Sequence, residues 1–386
     1  INPSQNLNYL SMRSRWQWYE GLFSKVNFNT HITTDSFDST EHIIKINTLM
    51  RIPFFNQYLE VIPHFELINT DFVSGYYNDQ ELEFQKGMGR LELQFLNIGK
   101  KLKLLLGARN IYPIGVSEKG NPDFFIYPKA EISYRSGSGK WVPFINYNGS
   151  YDLNSFTGLS LDNPYVAPTL TIRATQVNHY GELGFNANPG SGLSFKLNAH
   201  YSQYDNFPIF KRLPYDHNNK DLAYRLANAY EIIYDSVEKI GIVNRISIRF
   251  SEYNKISLET KYFKYIRNGD QKVWNLPSLK IDFDANLRLG RKLFFQLGGN
   301  YIGRRDSVRN RVVPLSENSG GNFETIESLA SVFNISSSIT WKINTQWDLF
   351  YQGKIFLSKN TSRWAHYQNQ SRVHLGGLRY KFDINL

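Results

Sequence analysis

The chain is patterned in stripes of two. Near its end Leu378, Tyr380, Phe382, Ile384 and Leu386 are apolar, while Gly377, Arg379, Lys381, Asp383 and Asn385 between them are small or polar. That period means extended backbone, because successive side chains of a strand point to opposite faces, whereas a helix repeats every three to four residues. The stripe is already running near the start, with Val26, Phe28 and Ile32 on one face and Lys25, Asn27, Asn29 and His31 on the other. Between the two ends it recurs as a unit of strand, tight polar turn, strand and longer connection.

Seven such hairpins are legible. Their turns are Pro53 to Asn56, Asn97 to Lys101, Ser136 to Lys140, Asn188 to Gly192, Ser251 to Lys255, Gly290 to Lys292 and Lys342 to Gln346. With the first and last strands they give about sixteen strands, within a range of fourteen to eighteen. The longest connections run from Asp152 to His179, Asp205 to Ala229 and Gly303 to Ser328. Short turns alternating with long loops fit an all-β, antiparallel transmembrane barrel with its turns in the periplasm and its loops outside the cell. The expected organisation is one barrel domain over residues 20–386, since no Pro- or Ser-rich linker divides it, with both termini periplasmic. Residues 1–19 carry Trp16, Trp18 and Tyr19, a candidate aromatic belt, and read either as an extra strand or as a periplasmic lead-in.

Composition changes the prior that length sets. A chain of 386 residues would by default hold two soluble domains. Here 15% of residues are aromatic, yet the mean hydropathy is -0.43. That pairing is odd for a globular core and natural for a barrel with an apolar outer face, aromatic girdles and a polar lumen. No run of about eighteen apolar residues occurs, so no transmembrane helix is expected. A spanning protein without one must be a closed barrel, because lipid cannot satisfy open strand edges. The chain opens at Ile1 without a charged, apolar-cored leader, so any signal peptide is expected to have been removed or to lie upstream.

Charge and cysteine narrow the partners. The absence of cysteine excludes disulfide frameworks, thiolate metal sites and thiol nucleophiles. The net charge of +10 is scattered through the strands rather than clustered. It suits lumen and loop positions, with some side chains facing lipid phosphates, and not nucleic acid. Outer-membrane lipid and lipopolysaccharide are the expected surroundings.

The order of the hairpins from about Tyr127 onward resembles the barrel of a TonB-dependent receptor in the style of Bacteroidota outer-membrane proteins. The resemblance rests on Tyr127 to Tyr134, Asp162-Asn-Pro-Tyr-Val-Ala-Pro168, Tyr180 to Phe185, Trp274-Asn-Leu-Pro-Ser-Leu279, Ser362-Arg-Trp364 and Gly376 to Phe382. It covers about two thirds of the chain. Gly377, Tyr380 and Phe382 resemble the closing-strand signal read by the barrel-assembly machinery, and Leu378, Tyr380, Phe382, Ile384 and Leu386 would be that strand's lipid-facing set. The departures are equally informative. The family closes with about twenty-two strands around an N-terminal plug, and neither is visible here. Ala174 and Thr175 stand where the family has proline and glutamate, and Gln368 where it has proline.

Candidate chemistry is sparse. His64 between Glu60 and Glu66, and His200 with Lys196 and Asn198, sit on polar strand faces without a serine in a nucleophile-elbow pattern, and read as members of lumen networks. Asp282 and Asp284, with Lys280 and Arg288 on the same face, read as a salt-bridge ladder. There is no phosphate-cradling glycine loop, zinc spacing or calcium loop, so no catalytic residue, metal site or cofactor is expected. Arg304, Arg305, Arg309 and Arg311 open a long loop and form a candidate site for an anion or lipid phosphate, against the plainer reading of a solvated loop. The expected function is a plugless, receptor-like barrel acting as a subunit of an outer-membrane complex with other barrels or lipoproteins. The alternatives are the barrel portion of a TonB-dependent transporter for siderophores, glycans or similar nutrients whose plug is not in this chain, and a passive porin.

Overall fold

The computed structural model describes residues 6–55, 57–73, 75, 80–115, 124–214, 226–267, 272–312, 322–358, 362–368 and 370–382, and not the side chains of 310–312 and 322–324. Among the described residues, seventeen strands make one antiparallel sheet. The first eight are β1 (Leu7–Gln17), β2 (Phe23–Asp35), β3 (Thr40–Phe54), β4 (Gln57–Phe72), β5 (Leu82–Ile98), β6 (Leu102–Ile114), β7 (Phe125–Tyr134) and β8 (Trp141–Asp152). A helix, α1 (Phe156–Asp162), lies in the next connection. Then come β9 (Thr175–Gly190), β10 (Leu193–Arg212), β11 (Tyr230–Arg249), β12 (Lys255–Arg267), β13 (Leu279–Leu289) and β14 (Leu293–Ile302). The sheet finishes with β17 (Val332–Lys342), β18 (Trp347–Phe356) and β21 (Arg372–Tyr380). Two small hairpins stand apart in the connections, β15 (Arg305–Val312) with β16 (Asn322–Leu329), and β19 (Ser362–Trp364) with β20 (Tyr367–Gln368).

Each strand of the main sheet pairs with its predecessor and successor in that order, as in an up-and-down barrel. The sequence count of sixteen differs from the seventeen observed because residues 7–17 add β1, paired along its whole length to β2. The odd number sets the start of β1 and the end of β21 at opposite rims of the sheet. Leu7 lies opposite Asp35, at the rim of the long connections, while Tyr380 lies opposite Trp347, at the rim of the short turns. Among the described residues β1 pairs only with β2, and β21 only with β18.

The ladders fix which side chains share a face. One face carries Asn27, Asn29, Glu60, His64, Glu92, Lys129, Glu182, His200, Glu259, Asp282 and Asp348, and we call it inner. The other carries Ile44, Leu93, Leu106, Ile132, Ile145, Leu183, Ile242, Leu258, Ile339, Leu349 and Leu378, all well exposed. Apolar outside and polar inside inverts a soluble fold and matches a wall that meets lipid. Outer-face aromatics gather at the short-turn rim: Trp347 packs on Tyr380 at 4.7 Å, Trp141 on Phe185 at 5.7 Å and Phe185 on Phe195 at 5.4 Å. Such rings suit a membrane interface, with one wet and one apolar edge. The turns there are tight enough to demand glycine at Gly192. Its φ is +73°, and a Cβ would stand 1.9 Å from the Arg249 carbonyl oxygen.

Leu106 is the fifth residue of β6 and 47% exposed, which puts it near the middle of a span of about 9–11 residues. Leu106→Arg is expected to cost about 2–4 kcal/mol. In lipid vesicles its urea-unfolding midpoint should fall clearly, while Lys103→Arg on the inner face of the same strand should leave it in place. An unchanged midpoint for Leu106→Arg would show that this face does not meet hydrocarbon.

Candidate functional site: the braced mouth of the barrel

The inner face of the first half is stitched across strands. Arg51 on β3 bonds Glu60 on β4 at 2.9 Å, and Glu60 accepts from Gln94 on β5 at 2.5 Å. Lys129 on β7 reaches Gln94 at 2.9 Å and Glu92 at 2.5 Å, and Arg109 on β6 reaches Glu92 at 2.6 Å. Beside this ladder Glu66 holds Lys45 at 2.6 Å and His64 at 3.3 Å, so His64 is a network member, as its sequence setting suggested. His200 lies between Tyr180 and Phe263, over Gly241, where a Cβ would stand 2.3 Å from its ring. The ladder expected along β13 is not formed among the described residues. Asp282 takes its hydrogen bond from Asn300 on β14 at 2.5 Å, and Arg288 turns to the Gly290 and Arg291 carbonyls at 3.1 and 3.3 Å. Directly opposed cross-strand positions lie ~4.5–5.5 Å apart, closer than same-face neighbours two residues along one strand.

The connection from β8 to β9 is where the fold departs from a plain tube. Ser155 caps α1, its side chain accepting from Gly158 N at 3.0 Å. The remaining amides at that end find Glu41 on β3, which is fully buried. Glu41 accepts from Phe156 N at 2.6 Å, Thr157 N at 2.8 Å, Thr157 Oγ1 at 2.5 Å and Thr70 Oγ1 at 2.8 Å. Thr33 on β2 and Thr157 share a further bond at 2.6 Å. The far part of the connection docks on β11, with Ala167 N bonded to Tyr230 O and Tyr230 N to Tyr165 O, each at 2.9 Å. Tyr165 stacks on Tyr367, in the β18–β21 connection.

A dry cluster forms under this strap. Phe72, Phe156, Leu159, Val166, Leu170, Ile172, Tyr230, Ile232 and Trp364 are all buried together. Glu41 and Tyr230 sit on strands eight places apart, ~38 Å along the wall at ~4.8 Å per strand. One short connection touches both, so the sheet is curled around it. The strap crosses the opening at the long-connection rim and is held from both sides.

A second anchor joins β10 to the β18–β21 connection through a hydrogen bond between Arg212 Nη1 and His366 Nε2. Burial first, and the Arg212 charge next, hold His366 below its ordinary value, with Arg309 adding to and Glu327 opposing the effect. A histidine depressed in the folded state contributes stability above its unfolded pKa of 6.5, and that stability is lost as pH falls. Protection factors of the amides of 362–368, corrected for the intrinsic pH dependence of exchange, are therefore expected to fall between about pH 7 and 5, and not in His366→Gln. Protection factors in the native chain that do not change with pH would refute the anchor.

The arginines singled out in the sequence do not form one patch. Arg304 and Arg309 are exposed, Arg311 has its side chain outside the described residues, and Arg305 is only 4% exposed. Arg305 turns under the strap, donating to Ser362 O at 2.9 Å and Gly303 O at 3.4 Å. Burial, and then the charge of Arg363, push it down to about 10. It lines a cavity of about 180 Å³ with Asp162, Asn275, Lys280, Arg363 and Trp364. Of the closing strand, Gly377 lies under the Phe350 ring, whose Cζ would be 3.0 Å from a Cβ there. Tyr380 and Phe382 pack edge to face at 4.6 Å, and Leu378 is exposed on the outer face. Ile384 and Leu386 fall outside the described residues.

No family model and no curated protein sequence matches the chain. Solved structures do. The ferric enterobactin receptor PfeA in complex with BCV-L6 superposes with a TM-score of 0.66 at 13% identity, over 98% of this chain and 62% of that one. The pyoverdine outer membrane receptor FpvA from Pseudomonas aeruginosa PAO1, bound to pyoverdine, gives 0.63 at 11%, over 98% and 62%. The copper transporter OprC gives 0.61 at 10%, over 98% and 65%. These neighbours are TonB-dependent outer-membrane receptors. At such identities the likeness is one of fold, and it assigns the chain the β-barrel architecture of these proteins. The chain spans less than two thirds of their length.

Proposed function

We propose that this chain forms the barrel portion of a TonB-dependent outer-membrane transporter or receptor, with the long-connection rim extracellular and the short turns periplasmic. The observation that supports it is the likeness to such receptors over nearly the whole chain, at TM-scores of 0.61 to 0.66. The geometry is consistent with it. The inner wall is polar and ion-paired, fit to surround water or another domain, and the mouth is narrowed by a strap fixed on both sides. In this reading a plug fills the lumen and couples it to TonB, and the closing strand around Gly377, Tyr380 and Phe382 is the part read by the assembly machinery.

The test is made on the intact gene product in its own outer membrane. Site-directed crosslinking to TonB, together with no steady ion conductance in planar bilayers, is the expected result. A constant open channel without TonB crosslinks would favour a passive porin. Recovery in fixed ratio with other barrels or lipoproteins, again without TonB crosslinks, would favour an accessory subunit of a complex. Either outcome overturns the transporter reading.

A further inference from the structure

The cavity beneath the strap is cationic and unsatisfied. Lys280 from β13, Arg305 from β15 and Arg363 from β19 converge on it, against one carboxylate, Asp162 at the end of α1. Among the described residues none of the three cations forms an ion pair. Two further acids lie close by in the chain and are engaged elsewhere: Asp306, next to Arg305, pairs with Lys272 at 3.2 Å, and Asp282, two residues from Lys280, accepts from Asn300 at 2.5 Å. Arg305 spends its terminal nitrogens on carbonyls and leaves Nε without an acceptor, although the residue is 4% exposed. Trp364 is 7% exposed and its Nε1 has no acceptor either. Asn275, also 7% exposed, donates to Phe210 O at 2.8 Å but leaves its Oδ1 without a donor.

Buried donors without partners are rare, because each costs about 1–3 kcal/mol. Here two lie in the wall of one cavity, beside cations that lack counter-ions. The free volume is about six times the ~30 Å³ that one water takes in the liquid, enough for a small organic anion. The orphaned acceptor on Asn275 adds a requirement for a donor on the same molecule.

We propose that this cavity binds a small oxyanion bearing a hydroxyl group, its carboxylate or phosphate oxygens taken by Arg305, Trp364, Lys280 and Arg363 and its hydroxyl donating to Asn275. Arg305 and Trp364 form the fixed back of the site, held by packing under the strap. Lys280 and Arg363 supply charge at its open side, so affinity falls as salt rises. As a station on the path of an imported anion the site rests on the transporter reading. As a binding site it does not.

The probes are citrate, which carries carboxylates and a hydroxyl; tricarballylate, which lacks the hydroxyl; and inorganic phosphate. Calorimetric titration of the purified full chain at low salt is expected to show citrate binding more tightly than tricarballylate. Lys280→Gln and Arg363→Ala should each weaken citrate by about tenfold or more while leaving unfolding unchanged, since neither is buried in an ion pair. Arg305→Met is a poorer test because it also frees two carbonyls that hold the loops. Heat from neither citrate nor phosphate, or equal citrate binding in Lys280→Gln and Arg363→Ala, would overturn the site. Tricarballylate binding as tightly as citrate would overturn the role given to Asn275. Loss of anion binding with TonB crosslinking intact refutes only the site, and binding without crosslinking refutes only the transporter.

Discussion

Replacing Glu41 with alanine is expected to free the strap while leaving the wall standing. The carboxylate is the acceptor for two backbone amides at the start of α1 and for the Thr70 and Thr157 hydroxyls, at 2.5 to 2.8 Å, in a fully buried place. Hydroxyls can turn toward other partners, but the amides of Phe156 and Thr157 are fixed by the helix and would be left bare. Each bare buried donor costs about 1–3 kcal/mol, so docking should weaken by about 2–6 kcal/mol. Hydrogen exchange of the amides of 156–172 should then accelerate by about 30-fold or more, while the amides of β4 and β5 stay protected. Glu41→Gln should fall between, because its one remaining oxygen can serve only part of the set. If exchange of the strap is unchanged in Glu41→Ala, the apolar cluster around Phe156 and Tyr230 holds it alone and the carboxylate is incidental.

The sequence showed the wall better than what fills it. Period-two striping located strands because every position in a lipid-facing wall is committed to one solvent or the other, and a shift by one residue would bury the wrong set. Residues 7–17 were harder to read because Leu7 and Tyr9 fall on the inner face and Asn8 and Ser14 on the outer, so β1 lacks a clean stripe and shows itself only by pairing with β2. Length marks the strap only as one of the long extracellular connections, and nothing in that reading docks it inside. A signal was present: Phe156, Leu159, Val166, Leu170 and Ile172 are too apolar for a segment that stays in water, and all are buried. The polar and charged residues of the cationic cavity fall in segments that stand out for unrelated reasons, Lys280 in the β13 stripe, Arg305 in the arginine-rich connection, and Asp162, Asn275, Arg363 and Trp364 in three separate resemblance segments, spread widely along the chain. What joins them is the curl of the sheet and the docking of three connections, and spacing within one segment carries no record of either.

The same curl bears on what an inner-face charge is worth. Inner-face ion pairs stand in a wet tube if the lumen is open, and in a drier one wherever neighbouring side chains close over them. The pairs on β3 to β7 belong to the second kind: Glu60, Glu92 and Gln94 are all buried, beside a small apolar cluster on the same face that includes Met88, Ile111 and Tyr127. Their satisfaction comes from one another, which makes the ladder a unit rather than a set of independent contacts.

Glu92 is the member with the largest expected effect. It lies between two cations, Arg109 at 2.6 Å and Lys129 at 2.5 Å, and its own side chain is 6% exposed against 18% and 21% for theirs. Glu92→Leu leaves two positive charges facing each other without a counter-charge. Removing one partner of a buried pair costs about 3–5 kcal/mol, and the residual exposure of both cations argues for the lower end, about 3 kcal/mol. The urea-unfolding midpoint in lipid vesicles should fall accordingly. Adding Lys129→Leu to Glu92→Leu should recover part of the loss, because the repulsion between the two cations then disappears, whereas adding Arg51→Leu, whose carboxylate partner is Glu60, should not. Recovery by Lys129→Leu would show that the penalty is an uncompensated charge. A loss of the same size in both double variants would instead mean that the leucine is simply misfitted in the wall, and the ladder would have to be regarded as a solvated surface that happens to line the inside.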